Sequence, residues 1–242
     1  MRAARPASVS VVTGMKKRTK VDVLTRVLNA YPSLRHEENS PIHQFLATAA
    51  TIDIPQGLVV FKKGEPCSDF LLLLRGTLRL QVASESGREV TLYRLVAGSS
   101  CAVTTASLIS GDAYSAEAIT EADVTAVAIP RAEFLAALTA SERFRQFIFD
   151  GFAERFATVI ARIDAFVLKS VDERLIDELL GMDERTLSEL SHRRIAADIG
   201  TAREVVSRRL KALEASGLIR VNRGNIRVKD REGLRALQKA SE

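Results

Sequence analysis

The sequence predicts an α+β protein in which a β jelly roll is followed by a long helix and then by a C-terminal winged helix–turn–helix. Three patterns predict this order. Short apolar runs separated by turn residues fill 51–129, an apolar heptad stripe lies within 141–170, and two short helices with a hairpin follow at 191–229. With 242 residues, the chain is long enough for two domains and a sizeable core.

The composition is that of an ordinary soluble protein, with 46% hydrophobic and 27% charged residues. No apolar run approaches the length of about 18 residues that a membrane span needs, so we expect no membrane contact. Residues 1–20 are basic and carry only a short apolar run, which predicts a flexible tail rather than a signal peptide. Two cysteines are too few for a disulfide framework, and this favours the reducing cytoplasm.

Residues 21–140 are predicted to form one domain of short helices and strands. Helical patterns at 21–31 and 41–49 precede a region rich in Val, Ile, Leu and Tyr. Turn signals such as Pro55-Gln-Gly57 and Ser110-Gly-Asp112 interrupt that region at short intervals. This density of turns predicts about eight strands, as in a jelly roll or a small barrel.

A long helix is predicted over 141–170. Six large apolar residues in it follow a 3-4-3-4-3 spacing and share one face; they are Phe149, Phe152, Phe156, Val159, Ile163 and Phe166. A helix packed on its own β domain is the alternative, and Phe144, Phe147 and Ile148 are expected to pack in that way. Because the stripe continues for three turns or more after the β domain, we expect it to contact a partner helix in a homodimer.

The C-terminal pattern is helix, turn, helix and hairpin. Ser191 is a good N-cap, and Gly200 allows the chain to leave the first helix in a left-handed conformation. Thr201-Ala-Arg-Glu204 fits the Ser/Thr-x-x-Glu capping box that starts a second helix. The runs 218–221 and 226–228 flank Gly and Asn residues and predict a short hairpin.

The outer face of the second helix is basic. Its polar residues opposite the apolar side are Arg203, Glu204, Ser207, Arg208 and Lys211. Between 190 and 239 there are thirteen Lys/Arg and five Asp/Glu, a net charge of +8 against +5 for the whole chain. A charge run is usually a solvated face, but on a helix after a turn this concentration predicts contact with a phosphate backbone. In the hairpin, Arg220, Arg223 and Arg227 are placed to approach phosphates.

This stretch resembles the winged helix–turn–helix of the CRP/FNR family of bacterial transcription regulators. The resemblance rests on Ile195-Ala-x-x-Ile199-Gly200 and on Arg203-Glu204-x-Val206-Ser207-Arg208. It implies that Arg203 and Arg208 donate to guanine edges and that Glu204 accepts from a cytosine amino group, unless Glu204 only caps the helix. Further residues expected at the DNA are Thr201, Ser207, Lys211, His192 and Arg223.

The β region resembles the cyclic-nucleotide-binding fold of the same family. The resemblance rests on the stretches 59–66, 70–80 and 121–134, which match the first strands and the last strand and following helix of that fold. It implies a jelly roll that receives a signal.

Together the two resemblances cover roughly residues 50–239. They imply a sensor domain at 21–140, a dimerisation helix at 141–170 and a DNA-binding domain at 171–242. Family members dimerise through a parallel coiled coil. The implied partners are therefore a second copy of the chain, double-stranded DNA with a palindromic operator and, for an activator, RNA polymerase.

The residues that grip a cyclic phosphate in members that bind cyclic AMP are not matched. Ala102-Val103 stand where a Gly-Glu pair is expected, and Ala113 or Tyr114, followed by Ser115, where an Arg-Ser pair is expected. No arginine occurs between positions 94 and 131, and a cyclic phosphate without a cationic partner is poorly stabilised. The sequence therefore disfavours cyclic AMP and predicts no cofactor, while its hydroxyl-rich run leaves another small ligand open.

The two cysteines are candidates for a thiol sensor. Cys67 lies in a turn, and Cys101 lies in the run that replaces the phosphate-binding stretch. Some members of the family sense oxidants or reactive sulfur through thiols, and the alternative is that both cysteines are inert and buried. Tyr114 and Ser115 are the other candidate sensor residues. A four-cysteine iron–sulfur site is excluded within one chain.

Enzyme chemistry is disfavoured. Residues 51–130 contain no histidine, whereas a metal oxygenase on such a fold needs several His or carboxylate ligands. A structural role for His36 and His43 is favoured over haem ligation. We predict no catalytic residue and no metal, with a metal enzyme on a cupin-like fold as a remote alternative. The predicted function is a homodimeric, sequence-specific DNA-binding regulator gated by cysteine chemistry or, alternatively, by a cyclic nucleotide or other small molecule.

Overall fold

The computed structural model describes residues 17–18, 23–35, 40–84, 88–188, 190–222 and 225–239. The chain divides into two compact units. One comprises residues 1–82 and 92–159, and the other comprises 83–91 and 160–242. No helix within the described ranges is both long and apolar enough to cross a bilayer.

Two four-stranded sheets form the framework of the β domain. The strands are β1 (Lys17–Arg18), β2 (Thr51–Ile54), β3 (Val59–Phe61), β4 (Asp69–Arg75), β5 (Thr77–Ala83), β6 (Glu89–Val96), β7 (Glu117–Thr120) and β8 (Val124–Pro130). The strand order is β1-β2-β8-β4 in one sheet and β3-β7-β5-β6 in the other. The pairs β2–β8, β4–β8 and β5–β7 are antiparallel, which confirms the predicted jelly-roll type of domain.

The inner faces of the two sheets share one apolar core. Leu71 and Leu73 of β4 point into it, as do Leu78 and Leu80 of β5, because side chains two apart lie on the same face of a strand. All four side chains are buried. Burial of a leucine contributes about 1.5–3 kcal/mol, so these four side chains stabilise the packing of the two sheets.

Helices cover the outer face of the first sheet. They are α1 (Val23–Ala30), α2 (Pro41–Thr48), α4 (Arg131–Ala140) and the beginning of α5 (Glu142–Leu168), with a 3-10 turn at Pro32–Leu34. Phe70 of β4 packs against Phe134 of α4 and Phe144 of α5, with ring centres 5.0 and 6.5 Å away. The helices expected at 21–31 and 41–49, and the long helix expected over 141–170, are confirmed.

One helix interrupts the region predicted to be all strands. Between 51 and 130 the described residues form seven strands rather than about eight, and α3 (Ala102–Ser110) occupies part of the hydroxyl-rich run. Thr104, Thr105 and Leu108 of this helix are buried, and Gly111 ends it with φ +81°. Burial of one face stabilises the helix although β-branched residues favour strands in isolation.

The C-terminal unit holds five helices and a hairpin within its described part. They are α6 (Val171–Gly181), α7 (Glu184–Ser188), α8 (His192–Ile199), α9 (Arg203–Ala215), β9 (Ile219–Asn222), β10 (Asn225–Val228) and α10 (Arg231–Lys239). Ser170 starts α6 with a complete capping box, in which its side chain and that of Glu173 each accept from the other's backbone N–H. Leu179, Ile195, Val206 and other apolar residues form its core.

Candidate DNA-binding surface and signal site

The turn between α8 and α9 forms as its sequence predicts. The Ser191 side chain accepts a hydrogen bond from the Arg194 N–H at 3.2 Å, which caps α8. Gly200 adopts φ +65° and donates its N–H to the Ala196 carbonyl. Ile195 is buried beneath this turn, so the position of α9 is set by the core of the C-terminal unit.

The capping box expected at Thr201 is wrong. The N-cap of α9 is Ala202, and no side chain caps this helix end. The N–H of Thr201 instead donates to the Ala196 carbonyl at 2.9 Å, so Thr201 closes the turn that ends α8 and the new helix begins one residue later. The Glu204 carboxylate is exposed in the first turn of α9 and is not engaged in a capping box.

The basic face of α9 lines an open groove of ≈ 420 Å³. The groove residues are Arg203, Glu204, Ser207, Arg208 and Lys211, the five positions that the sequence assigns to the outer face. Val206 and Leu210 lie on the opposite side of α9 and are fully buried. Burial of that side anchors the helix, while the groove presents four hydrogen-bonding side chains besides the Ser207 hydroxyl.

His192 of α8 contacts one residue of this groove, Ser207. Its Nδ1 lies 2.8 Å from the Ser207 Oγ, and the ring is half-buried. Burial, followed by the positive charge of Arg203, lowers the pKa of His192 below its usual value. The ring is therefore neutral at neutral pH, and it sits beside the side chains that the sequence assigns to DNA.

The wing presents two arginines side by side. In the β9–β10 hairpin Arg220 is directly opposite Arg227, and both are exposed. Like charges in directly opposite positions destabilise a hairpin, so this pair is better explained by an anionic partner than by folding. Arg223, the third wing arginine expected at phosphates, lies outside the described residues.

The apolar stripe of α5 is largely exposed. Phe149 and Phe156 are 62% and 63% exposed, and Phe152 and Ile163 are also solvent-accessible. Val159 instead packs against the jelly-roll core. Phe166 is half-buried within the C-terminal unit. Ile160 and Val167, one position further along, are exposed and continue the row at helical spacing.

Cys101 is hydrogen-bonded to a buried tyrosine. It forms the N-cap of α3, it is 2% exposed, and its Sγ lies 3.7 Å from the Tyr93 Oη. The same Oη accepts from the Val103 N–H at 3.3 Å. The guanidinium of Arg155, on α5, lies 5.5 Å from the centre of the Tyr93 ring. The Cys101 thiol, the Tyr93 side chain and the Arg155 guanidinium of α5 are therefore in one contiguous set.

Cys67 belongs to the same region. Its Sγ lies 3.9 Å from the Thr104 carbonyl of α3, and burial raises the pKa of its thiol. Tyr114 is buried and stacks on Phe61 with ring centres 3.8 Å apart. Ser115 is exposed, so it does not join this buried cluster.

Sequence reasoning missed the buried arginine of α5. Arg155 is 8% exposed and donates to Ser99 Oγ at 3.1 Å. Its Nε has no hydrogen-bond partner among the described residues, and the same holds for the buried hydroxyls of Ser100 and Thr105. Gly151 permits the contact of α5 with Ser100, because a Cβ on Gly151 would lie 1.8 Å from the Ser100 Oγ. The sequence contained one signal of this burial, because Arg155 is a cation on the apolar side of the α5 pattern.

Histidine and acidic groups do not assemble a metal site in the part of the chain that the structure describes. His43 is buried and shares a 2.8 Å hydrogen bond with the Leu34 carbonyl, which is a structural role. His36 lies outside the described residues.

Two family profiles match the chain. The cyclic nucleotide-binding domain matches residues 51–141, and the Crp-like helix-turn-helix domain matches residues 173–237. Among curated proteins, the cyclic AMP receptor protein of Thermus thermophilus is 27% identical over 179 residues, which cover 73% of this chain and 82% of that protein. The global nitrogen regulator of Synechococcus elongatus is 29% identical over 188 residues, which cover 72% and 82%.

Solved structures share the fold. A CRP/FNR-family transcriptional regulator from Eubacterium rectale superposes with a TM-score of 0.77 at 26% identity, covering 87% of this chain and 99% of that one. The c-di-GMP responsive global regulator of Xanthomonas campestris superposes with a TM-score of 0.69 at 20% identity, covering 78% and 97%. Three of these proteins carry names that point to different signals: cyclic AMP, nitrogen and c-di-GMP. Similarity alone therefore does not identify the signal of this chain.

Proposed function

Since this chain belongs to the CRP/FNR family of transcription regulators, we propose that it binds a palindromic DNA operator as a homodimer. It is a transcription regulator with a DNA-binding helix–turn–helix domain and a signal-binding domain. Under the proposal, α9 of each protomer enters the major groove and the wing arginines contact phosphates.

The observation that carries the proposal is the composition of the α9 groove. Arg203 and Arg208 can each donate two hydrogen bonds to a guanine, and Glu204 can accept from a cytosine amino group. The missing capping box supports base contact by Glu204, because its carboxylate is exposed and is not held by the helix end.

The exposed face of α5 supports the homodimer. Phe149, Phe152 and Phe156 form an apolar row on the helix that the monomer leaves in solvent. Two copies packed along this row give a two-fold pair of α9 helices, which a palindromic site requires about 34 Å apart. RNA polymerase is a further partner if the regulator activates transcription.

Selection from a randomised half-site library tests the DNA function. We expect Arg208→Ala to relax the preference at one base position and to cost about 1–3 kcal/mol of specific binding. Arg227→Ala, in the wing, is the matched control, because loss of a phosphate contact weakens binding almost equally at all sequences. Equal losses of specific and non-specific affinity for Arg208→Ala would rule out base reading by this arginine.

For the signal, we propose chemistry at Cys101. A new group on its Sγ would displace the Tyr93 hydroxyl, and the Tyr93 ring supports Arg155 of α5. Modification of the Cys101 thiol would thereby change how α5, the proposed dimer helix, packs on the jelly roll. Cys101 is 2% exposed, so the reagent must reach it through a local opening of the domain.

Operator binding by reduced, peroxide-oxidised and polysulfide-treated protein, measured side by side, tests this signal. Cys101→Ser should make binding independent of treatment, while Cys67→Ser should keep the response if Cys101 alone carries it. Identical binding of the wild-type protein in all three states would eliminate thiol sensing.

A small anionic ligand is the second candidate signal. The observation that favours it is the set of buried polar atoms without partners among the described residues: Arg155 Nε, Ser100 Oγ and Thr105 Oγ1. Arginine and hydroxyl groups together suit a phosphate or carboxylate. Calorimetry with a panel of cyclic nucleotides and dicarboxylates tests this candidate, with Arg155→Met as the variant that should abolish any heat of binding.

A further inference from the structure

One hydroxyl in the α9 groove already has a partner. Ser207 lies in the second turn of α9, and its Oγ is 2.8 Å from the Nδ1 of His192, the first residue of α8. The hydrogen bond therefore joins the two helices of the helix–turn–helix at a position that faces the groove. Both side chains are half-buried, so solvent competes only partly for this bond.

A serine hydroxyl without a partner rotates about its Cβ–Oγ bond and can donate or accept. The imidazole removes that freedom. When Nδ1 accepts, the Ser207 oxygen presents lone pairs to the groove; when Nδ1 carries the proton, the Ser207 O–H is free to point there. When Nδ1 is the acceptor, the imidazole occupies the only donor of the hydroxyl, and Ser207 offers a base edge one defined role, that of an acceptor.

The electrostatics of His192 disfavour a phosphate contact as its main role. Burial and the adjacent charge of Arg203 both keep the ring neutral near pH 7. A neutral ring brings no net charge to a phosphate, and Arg203, Arg208 and Lys211 already supply cations on the same surface. The contact with Ser207 therefore indicates another role for His192, which is to orient the Ser207 hydroxyl.

We propose that His192 is a positioning residue that sets the base preference at the half-site position facing Ser207. This inference rests on the proposed reading of bases by α9. The four base pairs present different donor and acceptor patterns in the major groove, so a hydroxyl with a fixed role discriminates among them, whereas a rotating hydroxyl does not.

The test is selection from the same half-site library with full-length variants. We expect His192→Ala and Ser207→Ala each to flatten the preference at the same single position by about 2- to 10-fold. The double variant should lose no more than Ser207→Ala alone, because the two residues act as one unit. His192→Asn should restore the preference, since its amide reaches the place of Nδ1, while His192→Gln places its amide near Nε2 and should not.

Two patterns of loss would overturn the proposal. A loss that is uniform across sequences, with a shallower dependence on salt, would identify His192 as a phosphate contact. Additive effects of the two alanine variants at different positions would show that the residues act separately.

Arg208→Ala, carried in parallel, separates this inference from its premise. If no variant in the groove, Arg208→Ala included, changes a base preference, the reading of bases by α9 is wrong. If Arg208→Ala relaxes its own position while His192→Ala keeps every preference, only the positioning role of His192 is wrong. Thermal denaturation of each variant identifies any that fails to fold, and His192→Asn remains in that case as the variant that keeps a hydrogen-bonding group at the place of Nδ1.

Discussion

The guanidinium carbon of Arg174 lies 5.3 Å from the centre of the Phe166 ring. The same side chain donates to the Lys169 carbonyl at 2.7 Å and to the Ile199 carbonyl at 3.0 Å. These carbonyls lie at the C-terminal ends of α5 and α8, where backbone acceptors lack helical partners. One cation thus caps two helices and stacks on an aromatic ring between them.

Replacement of Arg174 by Ala should lower the free energy of unfolding of the C-terminal unit by about 2 kcal/mol, because hydrogen bonds from a charged group contribute about 1.5–3 kcal/mol. Urea denaturation measures this loss, and hydrogen exchange should show faster exchange in the last turn of α8. Arg174→Lys keeps the charge without the fork of donors and should recover only part of the stability. An unchanged midpoint for the alanine variant would show that water replaces these bonds at no cost.

Gly200→Ala should destabilise the C-terminal unit more than Gly217→Ala does. Both glycines have positive φ, +65° and +77°, so alanine at either position meets a backbone penalty of about 1–2 kcal/mol. At Gly200 a Cβ would also lie 3.1 Å from the Phe166 ring, whereas nothing lies within 4 Å of one at Gly217. The contact should add about 1 kcal/mol, and equal thermal shifts for the two variants would contradict it.

Phe156→Glu should convert the proposed homodimer to monomers. Each protomer would lose about 1.5–3 kcal/mol of stabilisation from apolar burial. Because both protomers of a two-fold dimer carry the substitution, the loss occurs twice, and the dimerisation affinity should fall at least about 100-fold. Sedimentation at micromolar concentration measures this change. Ala161→Glu is the control, since position 161 is exposed on a different side of α5. If Phe156→Glu remains dimeric, the exposed row is not the interface.

The Cys67 thiol should react with iodoacetamide only at unusually high pH. Burial raises its pKa, and the thiolate is the reactive form, so the rate should rise at a higher pH than it does for a cysteine in a short peptide. The Cys101→Ser variant isolates this thiol. Addition of urea removes the burial and should return the pH dependence of the rate to that of the peptide. If the rate in the folded protein rises at the same pH as in the peptide, or at a lower pH, burial does not raise the pKa of this thiol.

The parts of the site that depend on local sequence were predictable. The N-cap at Ser191 and the left-handed turn at Gly200 depend on a few neighbouring residues, and both occur as the sequence predicts. Thr201 shows the limit of this reasoning. It satisfies the capping pattern, but its N–H is used to end the preceding helix, and two overlapping local patterns cannot both form.

The signal site was not predictable in the same way. Arg155 stands out in the sequence only as a cation on the apolar side of α5, and the packing of α5 on the jelly roll is what brings it to Ser99 and Tyr93. Val159 is similar: its spacing fits the heptad, yet the jelly-roll core covers it, and Ile160 takes the exposed place. Burial of a helix face depends on contacts far apart in sequence, which spacing alone does not contain.

A recombinant fragment designed to contain only the DNA-binding domain should include the residues that Arg174 contacts. A fragment that starts at residue 171 discards Phe166 and the Lys169 carbonyl, and leaves a guanidinium without its ring and one of its acceptors. A fragment that starts at residue 160 retains both. We expect this longer fragment to unfold in one cooperative transition, and the shorter one to lose structure locally around Arg174 before it unfolds.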